Sequence, residues 1–474
     1  MCCISNYQFS KKNVKRISQA MPRINSKFFL LFFLLVNCIY LKESNFDNNS
    51  TLSQGIYLWK LLQSQGISVS PAPSHFTAAE YITISAKANA KIYYTTDGTE
   101  PSTSSYEYKE PIHIWQLAGA KLKVIAVKSG TTISQISLND YYSYPNLKTG
   151  QNDCWDQAGG SIPCSNTYQD GEYQKGINFS YTGPMQHAQF PNDYTTKDNS
   201  TGLIWKSCSE GQSGGNCTGA NVKSNWINAQ TGANGCKILN SANSGSGYAG
   251  RTDWRLPSVE ELLTILYNVP VGSNNSIPRI LSSAFPNNAS GAGNLGTYWT
   301  STDTANFPFS VDFSIGNASN IVESNATLLN VRCVAGTTTT RTAQFTDNGN
   351  DTITDHRTRL LWQKCSWGQS GSSCTGVPIT NNWQSSLTNC HNSNLAGLSW
   401  RLPSMNEQLS LMNYNQQISQ WMDPTVFPNI VPNSEYWTST TYTNFAPSKV
   451  ILYSNGQLGG ISGANNYTIR CVSN

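Results

Sequence analysis

The residues of this chain that could do chemistry are few and come in pairs. Glu261 and Glu407 each stand six residues after an arginine, Arg255 and Arg401, of the same tetrapeptide, Trp254-Arg255-Leu256-Pro257 and Trp400-Arg401-Leu402-Pro403. A placed carboxyl group is a candidate general acid, but hydrolysis of a glycosidic bond uses two. No second carboxylate recurs at a comparable position in both copies. Each glutamate instead completes an S-x-x-E pattern, Ser258 to Glu261 and Ser404 to Glu407, which marks the start of a capped helix. The arginines could bind an anion, but pairing with the capping glutamate or with backbone carbonyls is the simpler use. Trp254, Trp299, Trp400 and Trp437 could stack on sugar rings, yet their place beside the repeated signatures assigns them to packing.

Other catalytic patterns are missing. His75, His113, His187, His356 and His391 are scattered, without H-E-x-x-H or C-x-x-C, so no metal and no cofactor is expected. Serines among glycines, at Gly211-Gln212-Ser213-Gly214 and Gly245-Ser246-Gly247, lack the strand–elbow–helix setting of a nucleophile. The expectation is a protein that is not an enzyme. Candidate ligand-binding positions then fall on the variable loops 268–297 and 413–435, where Tyr414 and Trp421 are candidate exposed aromatics.

The elements that hold these residues are themselves repeated. Each copy opens on a short strand ending in tryptophan, Thr201 to Trp205 and Thr358 to Trp362. A cysteine follows three residues later and another nine further, suggesting local bridges Cys208–Cys217 and Cys365–Cys374. Trp226 and Trp383 open a helix, with Ser224 and Asn381 as candidate caps. After the signature, Val259, Leu262, Leu263 and Leu266 share one helical face, as do Met405, Leu409 and Met412. Phe-Pro (285–286, 427–428), a Tyr-Trp-Thr-Ser-Thr strand (298–302, 436–440) and an Arg-Cys-Val strand (332–334, 470–472) complete the unit. Trp299 to Cys333 and Trp437 to Cys471 span the same 34 residues, so we pair Cys236 with Cys333 and Cys390 with Cys471.

Upstream, residues 67–138 alternate as half-buried strands at Tyr81–Ser85, Lys91–Thr95 and Lys121–Val127, with Asp97-Gly98 as turn chemistry. Residues 139–189 form a lead-in in which Cys154 and Cys164 close a hairpin. Repeat domains follow at 190–336 and 344–474, joined by a Thr-rich linker, 337–343.

At the N-terminus, Arg23 and Lys27 precede an apolar run, Phe28 to Val36, of signal-peptide length and too short for a comfortable membrane span. Leu35-Val36-Asn37-Cys38 resembles a bacterial lipobox, with Cys38 lipidated and Asn37 departing from the usual small residue. An ordinary secretory signal and an anchor helix are the alternatives. Residues 1–37 are read as the signal, its true start possible at Met21, and 38–66 as a tether with an apolar patch at 58–62. Setting aside Cys2, Cys3 and Cys38 leaves ten of the 13 cysteines, an even set that reads as disulfides in an exported chain. The net charge of +4 is a leader effect, because six basic and no acidic residues lie in 1–37, leaving 25 against 27. That balance excludes a broadly basic nucleic-acid surface.

Two resemblances add to this. Tyr93 to Ser102, Tyr106, Pro111-Ile112 and the Lys-Val-Ile-Ala-Val strand resemble the C-terminal-type domain of chitobiase and β-hexosaminidase, which implies a non-catalytic immunoglobulin-like sandwich. The repeat resembles the C-terminal domain of the collagen-like adhesin (Lcl) of Legionella, through Thr201–Trp205, Trp254–Pro257 with Glu261-Leu262, Tyr298–Thr302 and Val331–Val334, and in the second copy Phe345–Asp351, Trp400–Pro403 and Tyr436–Thr440. It implies two α+β, C-type-lectin-like domains with disulfides after an all-β sandwich. It further implies adhesin-like binding, the relative recognising host glycosaminoglycans and related sulfated glycans; with the lipobox, the expectation is a lipoprotein of the outer membrane or cell surface with glycans or host matrix as partners. The Gly-X-Y stalk is absent, so a trimer does not follow. The Ca²⁺-lectin triplets are absent too. An envelope structural or assembly protein, or an accessory part of a carbohydrate-active system, is the alternative.

Overall fold

The computed structural model describes residues 66–73, 76, 80–87, 89–96, 98–117, 121–138, 146–267, 278–289, 295–303, 308–314, 316–320, 327–336, 345–414, 422–430, 434–441, 448–452 and 457–473. The signal peptide with Met21, Cys38, nearly all of the tether, the Thr-rich linker, Asp97 and Trp421 lie outside the described residues. The chain is multidomain and mostly β, with a sandwich followed by two disulfide-bonded repeats whose helices are short.

Alternation builds the sandwich. Tyr81–Ala86 turns Ile82 and Ile84 inward, and Lys91–Thr95 does the same with Ile92 and Tyr94. One sheet holds Ile67–Ser70, Tyr81–Ala86 and Ile112–His113. The other holds Tyr106–Glu107, Lys91–Thr95, Leu122–Lys128 and Thr131–Leu138. All the pairings are antiparallel.

Each repeat closes its main sheet with its own C-terminal strand. In the first, Val334–Ala335 lies between Ile204–Lys206 and the signature strand Trp254–Arg255, and Tyr194–Asp198 and Tyr181–Gln186 extend the other side. In the second, Val472–Ser473 pairs with Leu361–Gln363, and Val472 bridges Arg401. A three-stranded sheet accompanies each, led by Thr297–Asp303 and by Glu435–Trp437.

The helices Trp226–Thr231 and Trp383–His391 are capped by Asn225 and Asn382, one residue later than the candidates Ser224 and Asn381. The asparagine next to the helix reaches back to a backbone N–H of the first turn. Ser224 and Asn381 instead spend their backbone groups on bridges to Leu329 and Tyr467.

Among the described residues five disulfides are formed, Cys154–Cys164, Cys208–Cys217, Cys236–Cys333, Cys365–Cys374 and Cys390–Cys471. The two long ones sit in small cores of their own, with Trp254 and Trp299 beside Cys236–Cys333 and with Trp383, Trp400 and Trp437 beside Cys390–Cys471.

The lead-in joins both repeats: its strand Tyr181–Gln186 extends the sheet of the first, while its earlier part, around Gln151 to Asp170, docks on the second. The Asp170 backbone N–H donates to the Ser439 carbonyl at 3.1 Å. Gln151 exchanges two bonds with Thr441, Nε2 donating to Oγ1 at 2.5 Å and Oε1 accepting from the backbone at 2.8 Å. Tyr168 stacks on His391 with ring centroids 3.8 Å apart. The sandwich leans on the first repeat, where Arg251 pairs with Glu110 at 2.9 Å and Lys197 lies over the Tyr81 ring.

Candidate functional site

The repeated signature groups are engaged inside the scaffold. Arg255 donates from both Nη atoms to the two oxygens of Glu261, at 2.7 and 2.6 Å, and from Nε to the Gly336 carbonyl. Arg401 and Glu407 repeat the fork at the same distances. Each glutamate also accepts from the N-cap backbone while the cap serine hydroxyl accepts from the glutamate N–H, so both capping boxes are complete. For Glu407, burial pushes the carboxyl up, but Arg401 and the Ser404 bonds outweigh it and hold the group below its ordinary range. A carboxylate gripped in this way is not available as a proton donor. Trp254, Trp299, Trp400 and Trp437 are buried, and their indole N–H groups donate to the carbonyls of Tyr248, Ser224, Leu395 and Asn381. No face of these rings is left for a sugar.

A second pair of arginines, to which spacing alone assigns no role, lies deeper. Arg332 and Arg470 are fully buried. Arg332 donates to the Lys206 and Ser207 carbonyls and to Ser209 Oγ, beneath the rings of Phe285 and Tyr298. Arg470 does the same with Gln363, Lys364 and Ser366, beneath Phe427 and Tyr436. Carbonyl dipoles and aromatic faces thus replace water around a buried cation. The repeated Phe-Pro and Arg-Cys-Val were the available signal, since each aromatic pairs with an arginine of its own copy.

Where the modules meet, they line a small, open pocket of about 70 Å³. The two capped helices face it with equivalent positions, Glu260, Leu263 and Thr264 from one and Asn406, Leu409 and Ser410 from the other. Arg357 and Tyr414 of the second repeat, Trp115 of the sandwich, and Asn146 and Leu147 of the lead-in complete the wall. Arg357 reaches across the repeats to Glu260 at 3.7 Å and donates to the Ser410 carbonyl. Asn406 Nδ2 donates to the carbonyls of Leu147 and Lys148, at 3.0 and 3.1 Å.

The Lcl C-terminal domain matches residues 194–335 and again 351–473, together more than half of the chain. The chain belongs to the Lcl C-terminal domain family. Ahead of the two Lcl domains, an Fn3-associated domain matches residues 82–141, a span that takes in most of the sandwich. A comparison with curated proteins finds no match. Five disulfides mark the tandem Lcl chain as an exported protein.

Tyr414 is not the exposed loop aromatic that its sequence position suggested. It is 5 % exposed, and its ring meets Phe309 of the first Lcl domain edge-on at 5.4 Å. The apolar partner comes from the other domain, which no local pattern in the second can announce. Among the described residues no cluster of three or more His, Cys, Asp or Glu is arranged to hold a metal ion.

Proposed function

We propose that this chain is an exported, non-catalytic surface protein, lipid-anchored through Cys38, whose tandem Lcl domains bind glycans or extracellular matrix. One observation carries the reading. The glutamates, arginines and tryptophans that both Lcl domains repeat are committed to caps, ion pairs and cores, so contact with a ligand falls to residues that the domains do not share. Fold-level likeness gives function little weight on its own, which is why the site residues matter more than the family name. A glycan array probed with the full chain, sulfated glycans included, at several salt concentrations tests it. Binding to at least one glycan class at low salt is expected. A blank array at low salt leaves a structural role in the envelope. Palmitate labelling that persists in Cys38→Ala would refute the anchor.

A further inference from the structure

The seat of the sandwich on the first Lcl domain is built around a buried histidine. His113 closes the strand Ile112–His113 and is 1 % exposed. Gly202 of the Lcl domain comes so near that a Cβ there would lie 2.3 Å from the His113 Cβ. The His113 ring meets Tyr81 edge-on, with centroids 4.9 Å apart, and Lys197 of the Lcl domain lies 4.9 Å over the same Tyr81 ring. His113 Nδ1 accepts from the Trp115 backbone N–H at 3.1 Å. Only a neutral imidazole has that lone pair, because both nitrogens of an imidazolium are donors. A proton added at Nδ1 would set two donors against each other in a buried site and bring a second cation towards Lys197.

We propose that His113 makes this seat acid-sensitive, so that protonation of its ring loosens the sandwich from the first Lcl domain and uncovers the turn at Gly202. Burial, helped by Lys197 and opposed by the Asn199 backbone, pushes the ring down to about 4. A histidine depressed in the docked state gives stability that is fully present above the free-ring value of about 6.5 and is lost as pH falls towards about 4. The docking constant should therefore drop about thirtyfold between about pH 7.5 and pH 5. Other ionisable groups face the seat. Glu80 and Tyr81 lie on the sandwich side, Lys197 and Asp198 belong to the strand Tyr194–Asp198, and Arg251 pairs with Glu110 at 2.9 Å. Burial raises Asp198 to about 6, and a carboxyl raised in this way acts with the opposite sign, stabilising as pH falls. A variant altered only at His113 shares all of these groups, so its difference from the wild type isolates the histidine.

The test is hydrogen exchange of the full chain, corrected for the intrinsic rate at each pH, for the wild type and His113→Gln. Relative to the variant, the wild type is expected to lose about thirtyfold in protection at residues 112–117 and 199–203 between about pH 7.5 and pH 5. The matching turn of the second Lcl domain, 356–360, should show no such difference. Equal pH dependence in the two proteins overturns the proposal. Should His113→Gln fail to fold, NMR titration of the five histidine rings in the wild type decides instead. One ring staying neutral to below about pH 5 is expected, and all five titrating near about 6.5 overturns it.

Discussion

In the first Lcl domain the turn Thr201-Gly202 is roofed by the sandwich, whereas in the second the equivalent turn, Thr358-Arg359, is open. A Cβ on Gly202 would lie 2.3 Å from that of His113, and the backbone there is left-handed, φ +74°. Arg359 holds nearly the same φ, 63°, as an exposed side chain. The reverse holds at the other end. Ser439, Thr440 and Thr441 are buried under the lead-in, while Ser301 and Thr302 stay half-buried. Duplication has therefore kept one scaffold and given each copy a different cover. Individuality lies at the covered ends and at the junction, away from the signatures.

The largest expected effect tests how deeply each signature pair is buried. Arg401→Ala leaves the Glu407 carboxylate buried without its partner, which should cost about 3–5 kcal/mol. Arg255→Ala should cost less, because the Arg255 side chain is 15 % exposed against 7 % for Arg401. Urea unfolding of both variants checks the order, and equal costs would remove burial as the distinguishing factor.

The long disulfides should make the domains look alike again. Their separations are 97 and 81 residues, so chain entropy predicts costs of about 2–5 kcal/mol each, equal within about 0.2 kcal/mol. Replacing each pair by serine and measuring unfolding would expose any unequal native-state contribution.

Asp170 belongs to the second domain's cover alone. Burial raises its carboxyl to about 6, against the opposing pull of Thr149 and Thr440, with Glu407 pushing up and Arg401 pulling down. A carboxyl raised on folding gives stability that is present below its unfolded pKa and lost as pH rises through about 6. Relative to Asp170→Asn, the wild type should therefore gain about 2 kcal/mol between pH 7 and pH 4. A pH-independent difference would contradict the burial argument.

The smallest effect concerns the open turn. Arg359→Gly should stabilise by about 0.5–1 kcal/mol by relieving a left-handed non-glycine residue. Gly202→Arg should loosen the sandwich, detectable as faster proteolysis between the two modules.

What could be read from the sequence was local. Ser258 and Glu261, three apart, carry a cap in their spacing, and Ile82 and Ile84 carry a strand face in theirs. What could not be read depended on distance. Gln151 and Thr441 bond across 290 residues, so nothing near Gln151 in the sequence indicates that this part of the lead-in reaches the second Lcl domain. A lone arginine such as Arg332 reads as a surface residue until the carbonyls and rings that solvate it are brought together. The pocket is the extreme case, since its wall combines Trp115, Asn146, Glu260 and Arg357, each from a different module.

If the residues that both Lcl domains repeat serve only the fold, as proposed, their loss must leave ligand affinity alone. Glycan binding and thermal unfolding of the full chain should be measured side by side for the wild type and Glu261→Gln, which keeps the size of the side chain but removes the charge paired with Arg255. Glu261→Gln is expected to lower the melting temperature and to leave the glycan affinity of the folded chain unchanged. Binding lost in folded Glu261→Gln would contradict the proposal.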